Sequence, residues 1–217
     1  MSATASALSG GSTARATELQ HGPAGVEPGP SNEWLGMVLF IVSEAVMFGA
    51  FFAQYFYNRI LSPTWPNPAG LPEHFERVPA APLPVILTIV LVASGFTAHN
   101  AQTAIRRDDR DRFQGWLIVS ILLGVAFLAG QAYEYSELIL REHFSISSGI
   151  YGSVFFSLTG LHGLHVTVGV IALFGVLVRA FMGHFSSRNH FGVEGTVLYW
   201  HFVDVVWLAL YATLYAL

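Results

Sequence analysis

YGSVFFSLTGLHGLHVTVGVIAL, residues Tyr151–Leu173, decides the fold. It contains no Asp, Glu, Lys or Arg, and the apolar segment around it runs from about Tyr151 to Ala180. A helix needs roughly 20 mostly apolar residues to cross the hydrocarbon core of a bilayer. Four more such segments surround it, from about Trp34 to Tyr57, Pro82 to Ile105, Phe113 to Leu140 and Val193 to Leu217. Each is long enough to span, and an open sheet edge could not survive in lipid with its amides unpaired. The chain therefore reads as an all-α integral membrane bundle of five transmembrane helices. No convincing internal repeat is present, which disfavours an inverted-repeat transporter.

Composition agrees. The 217 residues are 53% hydrophobic and 11% charged, against about 25% charged in soluble domains, and the mean hydropathy is +0.52. Cysteine is absent. That excludes disulfides, thiolate-bound zinc, iron–sulfur clusters, covalently attached c-type haem and a two-cysteine binuclear copper site. The net charge of −4 is small, and no basic stripe points to nucleic acid.

Residues 1–30 are rich in Ala, Ser, Thr, Gly and Pro without an apolar run. They read as a disordered tail, not a signal peptide, ahead of a membrane domain over residues 31–217. Arginine placement sets the orientation. Arg15, Arg106, Arg107, Arg110, Arg112, Arg179 and Arg188 fall on one side, against Arg59, Arg77 and Arg141 on the other. The bias puts the N-terminus in the cytoplasm, the C-terminus in the periplasm and the Pro-rich 59–81 loop outside. Trp34, Trp116 and Tyr151 near segment ends suit interfacial anchoring.

Ionisable groups inside a membrane are costly, so each is a functional candidate. Here they are Glu44, Glu134 and Asp204, with His99, His162, His165 and His201. Glu44 lies about ten residues into its segment, hence about 15 Å deep at 1.5 Å per residue. His162 and His165 reach similar depth from the opposite side. Glu44 is therefore expected to pair with His162 or His165, or with a bound water, satisfying buried polar groups at once. The plainer reading is polar glue between helices; a proton-conducting carboxylate is the sharper one, but no acidic chain continues from Glu44.

His162 and His165, three apart on one helix, invite a metal or haem reading together with His201. A di-iron carboxylate bundle requires Glu-x-x-His pairs. Glu44, Glu134 and Glu194 are followed three on by Met47, Glu137 and Val197, so that reading fails. Asp204 is placed to accept a hydrogen bond from an indole or from His201, and a helix–helix clasp is preferred there. The rim Phe185–Glu194, FSSRNHFGVE, holds Arg188, His190 and Glu194, with Arg179 and His184 just before. Arg179 is the best candidate to hold a phospholipid phosphate; ordinary positive-inside flanking explains the same charges. His184, His190, Glu194 and Trp200 complete the candidate lipid contacts. Small residues (Gly152, Gly160, Gly163, Gly169, Ser94, Gly95) allow close helix approach.

Four stretches carry a family resemblance. Gly36–Arg59, GMVLFIVSEAVMFGAFFAQYFYNR, resembles the helix of haem-copper oxidase subunit III that bears its membrane-buried glutamate, matched here by Glu44. Gly130–Leu138, GQAYEYSEL, resembles the family's Gln-Ala-x-Glu-Tyr stretch. Tyr151–Leu173 resembles its Gly-x-His-Gly-Leu-His-Val pattern, although Leu161 stands where Phe is common. Asn189–Tyr211, NHFGVEGTVLYWHFVDVVWLALY, resembles its Tyr-Trp-His-Phe-Val-Asp-x-Val-Trp signature. The matches cover most of residues 34–217, in order.

The resemblance implies an accessory subunit of a proton-pumping terminal oxidase, in the short five-helix form found in some bacteria. The first two helices of seven-helix members have no counterpart here, which puts in doubt the lipid-holding cleft those helices wall. It implies a multi-pass protein of the bacterial inner membrane, beside oxidase subunit I, subunit II and a small subunit IV. Haem and copper lie in those partners; this chain has no cofactor, catalytic residue or metal, and bound phospholipid is expected. The role implied is to stabilise the catalytic subunit, bind lipid and support proton uptake. Similar chains accompany quinol oxidases and nitric oxide reductases. A self-sufficient b-type cytochrome, using the histidines, is the rival from another class.

Overall fold

The computed structural model describes residues 32–66, 71–72, 78, 82–186 and 190–216. The expected tail at 1–30, Arg77 and Arg188 lie outside them. Five helices are long and apolar enough to cross a membrane. They are α1 (Asn32–Leu61), α2 (Leu83–Arg106), α3 (Arg110–Leu140), α4 (Gly149–Phe181) and α5 (Phe191–Leu210). The last runs into a wider, π-helical turn at Tyr211–Ala216. The membrane bundle read from hydropathy is therefore the observed one, with ends shifted by a few residues.

Local chemistry sets the ends. Pro82 precedes α2 and Pro84 sits in its first turn, where a missing amide costs no helical bond. Asp108, at φ 57°, turns the chain between α2 and α3. Asp109 then caps α3, its Oδ1 accepting from the Arg112 amide at 3.2 Å. Gly183, at φ 74°, ends α4; its amide donates to the Ala180 carbonyl at 3.0 Å and that of His184 to Arg179 at 3.1 Å.

Met1–Val38 and Leu39–Leu217 form separate units. Within the second, helices α2, α3, α4 and α5 close a ring: α2 packs on α3, α3 on α4, α4 on α5 and α5 back on α2. Lipid is as apolar as leucine, so burial drives little here; van der Waals fit and hydrogen bonds hold the helices together. Each of these interfaces carries a polar clasp, that between α4 and α5 running from the Tyr199 hydroxyl to the His165 carbonyl. Thr97 and Ser120 share a hydrogen bond of 2.7 Å between α2 and α3. Tyr135 and Thr159 share one of 2.6 Å between α3 and α4. From α5, the Trp200 and Trp207 indoles donate to Ser94 at 3.0 Å and Thr88 at 2.9 Å on α2.

Trp200 fits only because two facing residues are glycine. A Cβ on Gly169 would stand 2.6 Å from its ring, and one on Gly124 would stand 2.9 Å away. Helix α1 is the least embedded: Phe48 and Tyr55 are its buried residues. Long side chains tie it on. The Tyr55 hydroxyl donates to the Thr213 carbonyl at 2.7 Å, and Phe48 packs edge-on against His165 and Phe202. Trp34 and Trp116 are half exposed, as interfacial anchors should be, but Tyr151 is 2% exposed. It sits among Trp65, Phe144 and Phe155, which removes it from the anchors.

Candidate functional site: the membrane-embedded carboxylates

Glu44, the expected membrane carboxylate, reaches from α1 to α4. Its Oε2 lies 2.9 Å from His165 Nε2. Of the two histidines considered, His165 is the partner. The other ring nitrogen fixes the chemistry. His165 Nδ1 is 2.8 Å from the Leu161 carbonyl oxygen. A carbonyl only accepts, so Nδ1 carries a hydrogen. One proton then lies between Nε2 and Oε2. Either a carboxylic acid donates to a neutral imidazole, or a carboxylate accepts from an imidazolium. Both forms are net neutral, which is what a membrane interior tolerates. The side chains are 21% exposed for Glu44 and 10% for His165.

Three aromatic residues frame the pair. Phe48, one turn along from Glu44, meets the imidazole edge-on at 5.0 Å. Tyr199 lies against it at 6.4 Å and 26°, and its hydroxyl donates to the His165 carbonyl at 3.2 Å. Phe40 stacks on Tyr199 at 6.0 Å. Phe48 was not singled out from the sequence, although it lies four residues after Glu44, and Tyr199 stood there only as the first residue of the C-terminal signature.

His162 turns the other way. It is 1% exposed, stacked on Trp207 at 5.1 Å and edge-on to Phe127 at 5.8 Å. Neither ring nitrogen has a hydrogen-bond partner among the described residues. The two histidines thus serve different helix interfaces and do not converge on one ligand. Among the described residues no three His, Asp or Glu side chains are grouped to hold a metal.

Glu134 forms a second centre. Its Oε2 accepts from Gln131 Nε2 at 2.7 Å and from the Tyr215 hydroxyl at 2.9 Å, joining α3 to the terminal turn. Gln131 stands in the Gln-Ala-x-Glu-Tyr stretch quoted for the family resemblance; Tyr215 was not singled out from the sequence. Asp204 lies 3.5 Å from His201 Nδ1, and its carboxylate is held against Gly95 of α2. The indoles considered as its donors are instead taken by Ser94 and Thr88. His99 stands 6.3 Å from the His201 ring.

The expected lipid rim divides. Glu194 accepts from Arg106 Nη2 at 2.7 Å and Nε at 3.2 Å, and His190 Nε2 lies 3.2 Å from it. Those groups bind α2 to α5. Arg179 and His184 remain exposed, Arg179 lying 5.1 Å over the Phe185 ring. Trp200, placed among the lipid contacts from sequence, is 0% exposed. Its indole is committed to Ser94 and its ring to Gly124 and Gly169, so it is a packing residue.

Comparison with known proteins gives the same family from each direction. The family model described as cytochrome c oxidase subunit III matches residues 26–217. The cytochrome c oxidase subunit 3 of Synechocystis sp. is 42% identical over 189 residues, covering 87% of this chain and 77% of its own. That of Rattus norvegicus is 45% identical over 188 residues, covering 83% and 67%. That of Thermostichus vulcanus is 35% identical over 189 residues, covering 87% and 89%.

Proposed function

The chain belongs to the cytochrome c oxidase subunit III family, and from that premise we propose that it stabilises the catalytic subunit, holds phospholipid beside it and supports its proton uptake. It is a multi-pass membrane protein and an accessory subunit of a haem-copper oxidase, an oxidoreductase complex. The observation that carries the finer reading is the Glu44–His165 contact. It supports that reading because the pair can share a proton and the Glu44 side chain, on the least embedded helix, is 21% exposed.

Subunits I and II, with a small subunit IV, are the proposed partners, and they hold the haem and copper. This chain supplies no catalytic centre. Cytochrome c is favoured over quinol as donor because the three relatives are cytochrome c oxidase subunits. Residues 31–217 form the membrane domain and residues 1–30 a tail, in a bacterial inner membrane with the N-terminus cytoplasmic. Arg179 and His184 are the lipid contacts retained. The test is oxygen uptake by the complex with and without this chain. Removal should shorten the period of sustained turnover and slow it further as pH rises and protons become scarce. Unchanged turnover at every pH would reject the proton-uptake role.

A further inference from the structure

A cavity of about 210 Å³ lies between the end of α2 and the start of α3, lined by Asn100, Thr103, Arg107, Asp109, Arg112 and Trp116. Helix α2 has 24 residues, about 36 Å at 1.5 Å per residue, against a hydrocarbon core of about 30 Å. Arg107, which caps it, therefore emerges among the headgroups. Trp116 is 38% exposed and sits roughly 9 Å further in, about six residues along α3. The cavity thus runs from headgroup depth to the top of the acyl chains.

Its charges are unevenly committed. Arg112 Nε is 3.3 Å from Asp109 Oδ2, and the other Asp109 oxygen caps α3. Arg107 is exposed and makes no ion pair among the described residues. Two guanidiniums and one carboxylate leave the lining one positive charge, which matches the single negative charge of a phosphodiester. Below the guanidiniums Asn100 offers an amide donor, while the Thr103 hydroxyl donates to the His99 carbonyl at 3.1 Å. Beyond them Phe96 of α2 is 69% exposed and Val119 of α3 is 39% exposed, an apolar path for acyl chains.

We propose that this cavity binds the phosphate of an anionic glycerophospholipid, with phosphatidylglycerol as the ligand and Arg107 as its principal contact. The site uses none of the α4–α5 rim around Arg179, so the two lipid assignments fail separately. A guanidinium forks onto two phosphate oxygens. The small volume admits a headgroup and excludes the chains, which run outside along Phe96 and Val119.

The test is native mass spectrometry of the whole oxidase complex titrated with phosphatidylglycerol, with phosphatidylcholine and phosphatidylethanolamine as zwitterionic controls and inorganic phosphate as competitor. Arg107→Gln should weaken retention of one phosphatidylglycerol by about fivefold, the worth of one basic residue at an anionic membrane surface. Arg107→Lys keeps the charge but not the fork, so it should restore part of it. Arg179→Gln should leave this lipid bound. Arg107 is exposed, so its variants are expected to assemble, which co-purification of the other subunits checks. Equal retention by Arg107→Gln and wild type overturns the proposal. So does equal retention of phosphatidylcholine or phosphatidylethanolamine, failure of Arg107→Lys to restore binding, or displacement by inorganic phosphate, which marks a site for the free ion.

Discussion

Replacing Glu44 separates the two protonation pictures of its pair. His165 Nδ1 is pinned to the Leu161 carbonyl at 2.8 Å, so Nε2 faces Glu44 across 2.9 Å. Glu44→Ala leaves Nε2 without a partner on a side chain 10% exposed. A polar group stranded in this way costs about 1–2 kcal/mol, a factor of roughly 5–30 in the unfolding equilibrium. The loss falls on α1, which is held otherwise by Phe48 and the Tyr55–Thr213 bond. Glu44→Gln offers an amide N–H to the same nitrogen, matching the carboxylic-acid form, and should cost about 0.6 kcal/mol or less. The assay is equilibrium unfolding of the purified protein in mixed micelles, followed by helical signal. If Glu44→Gln destabilises as much as Glu44→Ala, the pair is a carboxylate with an imidazolium and the neutral form is wrong. If neither change registers, the contact contributes nothing and the site assignment falls.

Other changes read separate joints of the bundle. Gly169→Ala puts a Cβ 2.6 Å from the Trp200 ring and should cost about 1–3 kcal/mol through overpacking, whereas Gly163→Ala, with nothing within 4 Å, should leave the unfolding midpoint unmoved or raise it, by up to about 1 kcal/mol of helix propensity. Tyr215→Phe removes a donor from Glu134 and should cost about 1 kcal/mol by the same unfolding assay, loosening the terminal turn. Arg106→Gln breaks an ion pair whose side chains are 54% and 30% exposed; a midpoint shift worth under about 1 kcal/mol, shrinking with added salt, is expected.

Hydropathy made the five helices legible, because every spanning segment is as long as the bilayer requires and the arginines gather at the helix ends and in the connections. Depth counting narrowed the partner of Glu44 to His162, His165 or a bound water. It went no further, because the rotation of α4 about its axis decides between them, and that rotation is set by packing: Trp207 and Phe127 claim His162. Trp200 was misplaced for the same reason. Its motif marks it as special, but only the facing Gly124 and Gly169 reveal that it is buried between helices. The Glu134–Tyr215 bond joins residues 81 apart in sequence, and no local spacing encodes such a contact. Arg106, read as a topogenic charge, bonds to Glu194 across the α2–α5 interface.

An accessory subunit with haem only in its partners is the central claim, and one paired spectrum tests it most directly. The tagged chain is drawn from native membranes in mild detergent, and a reduced-minus-oxidised visible spectrum is recorded on the complex and on the chain expressed alone. Haem bands are predicted in the complex and none in the isolated chain, with oxidase subunits I and II among the co-purified proteins. Haem bound by the isolated chain would contradict the claim and return His162, His165 and His201 to the centre of the function.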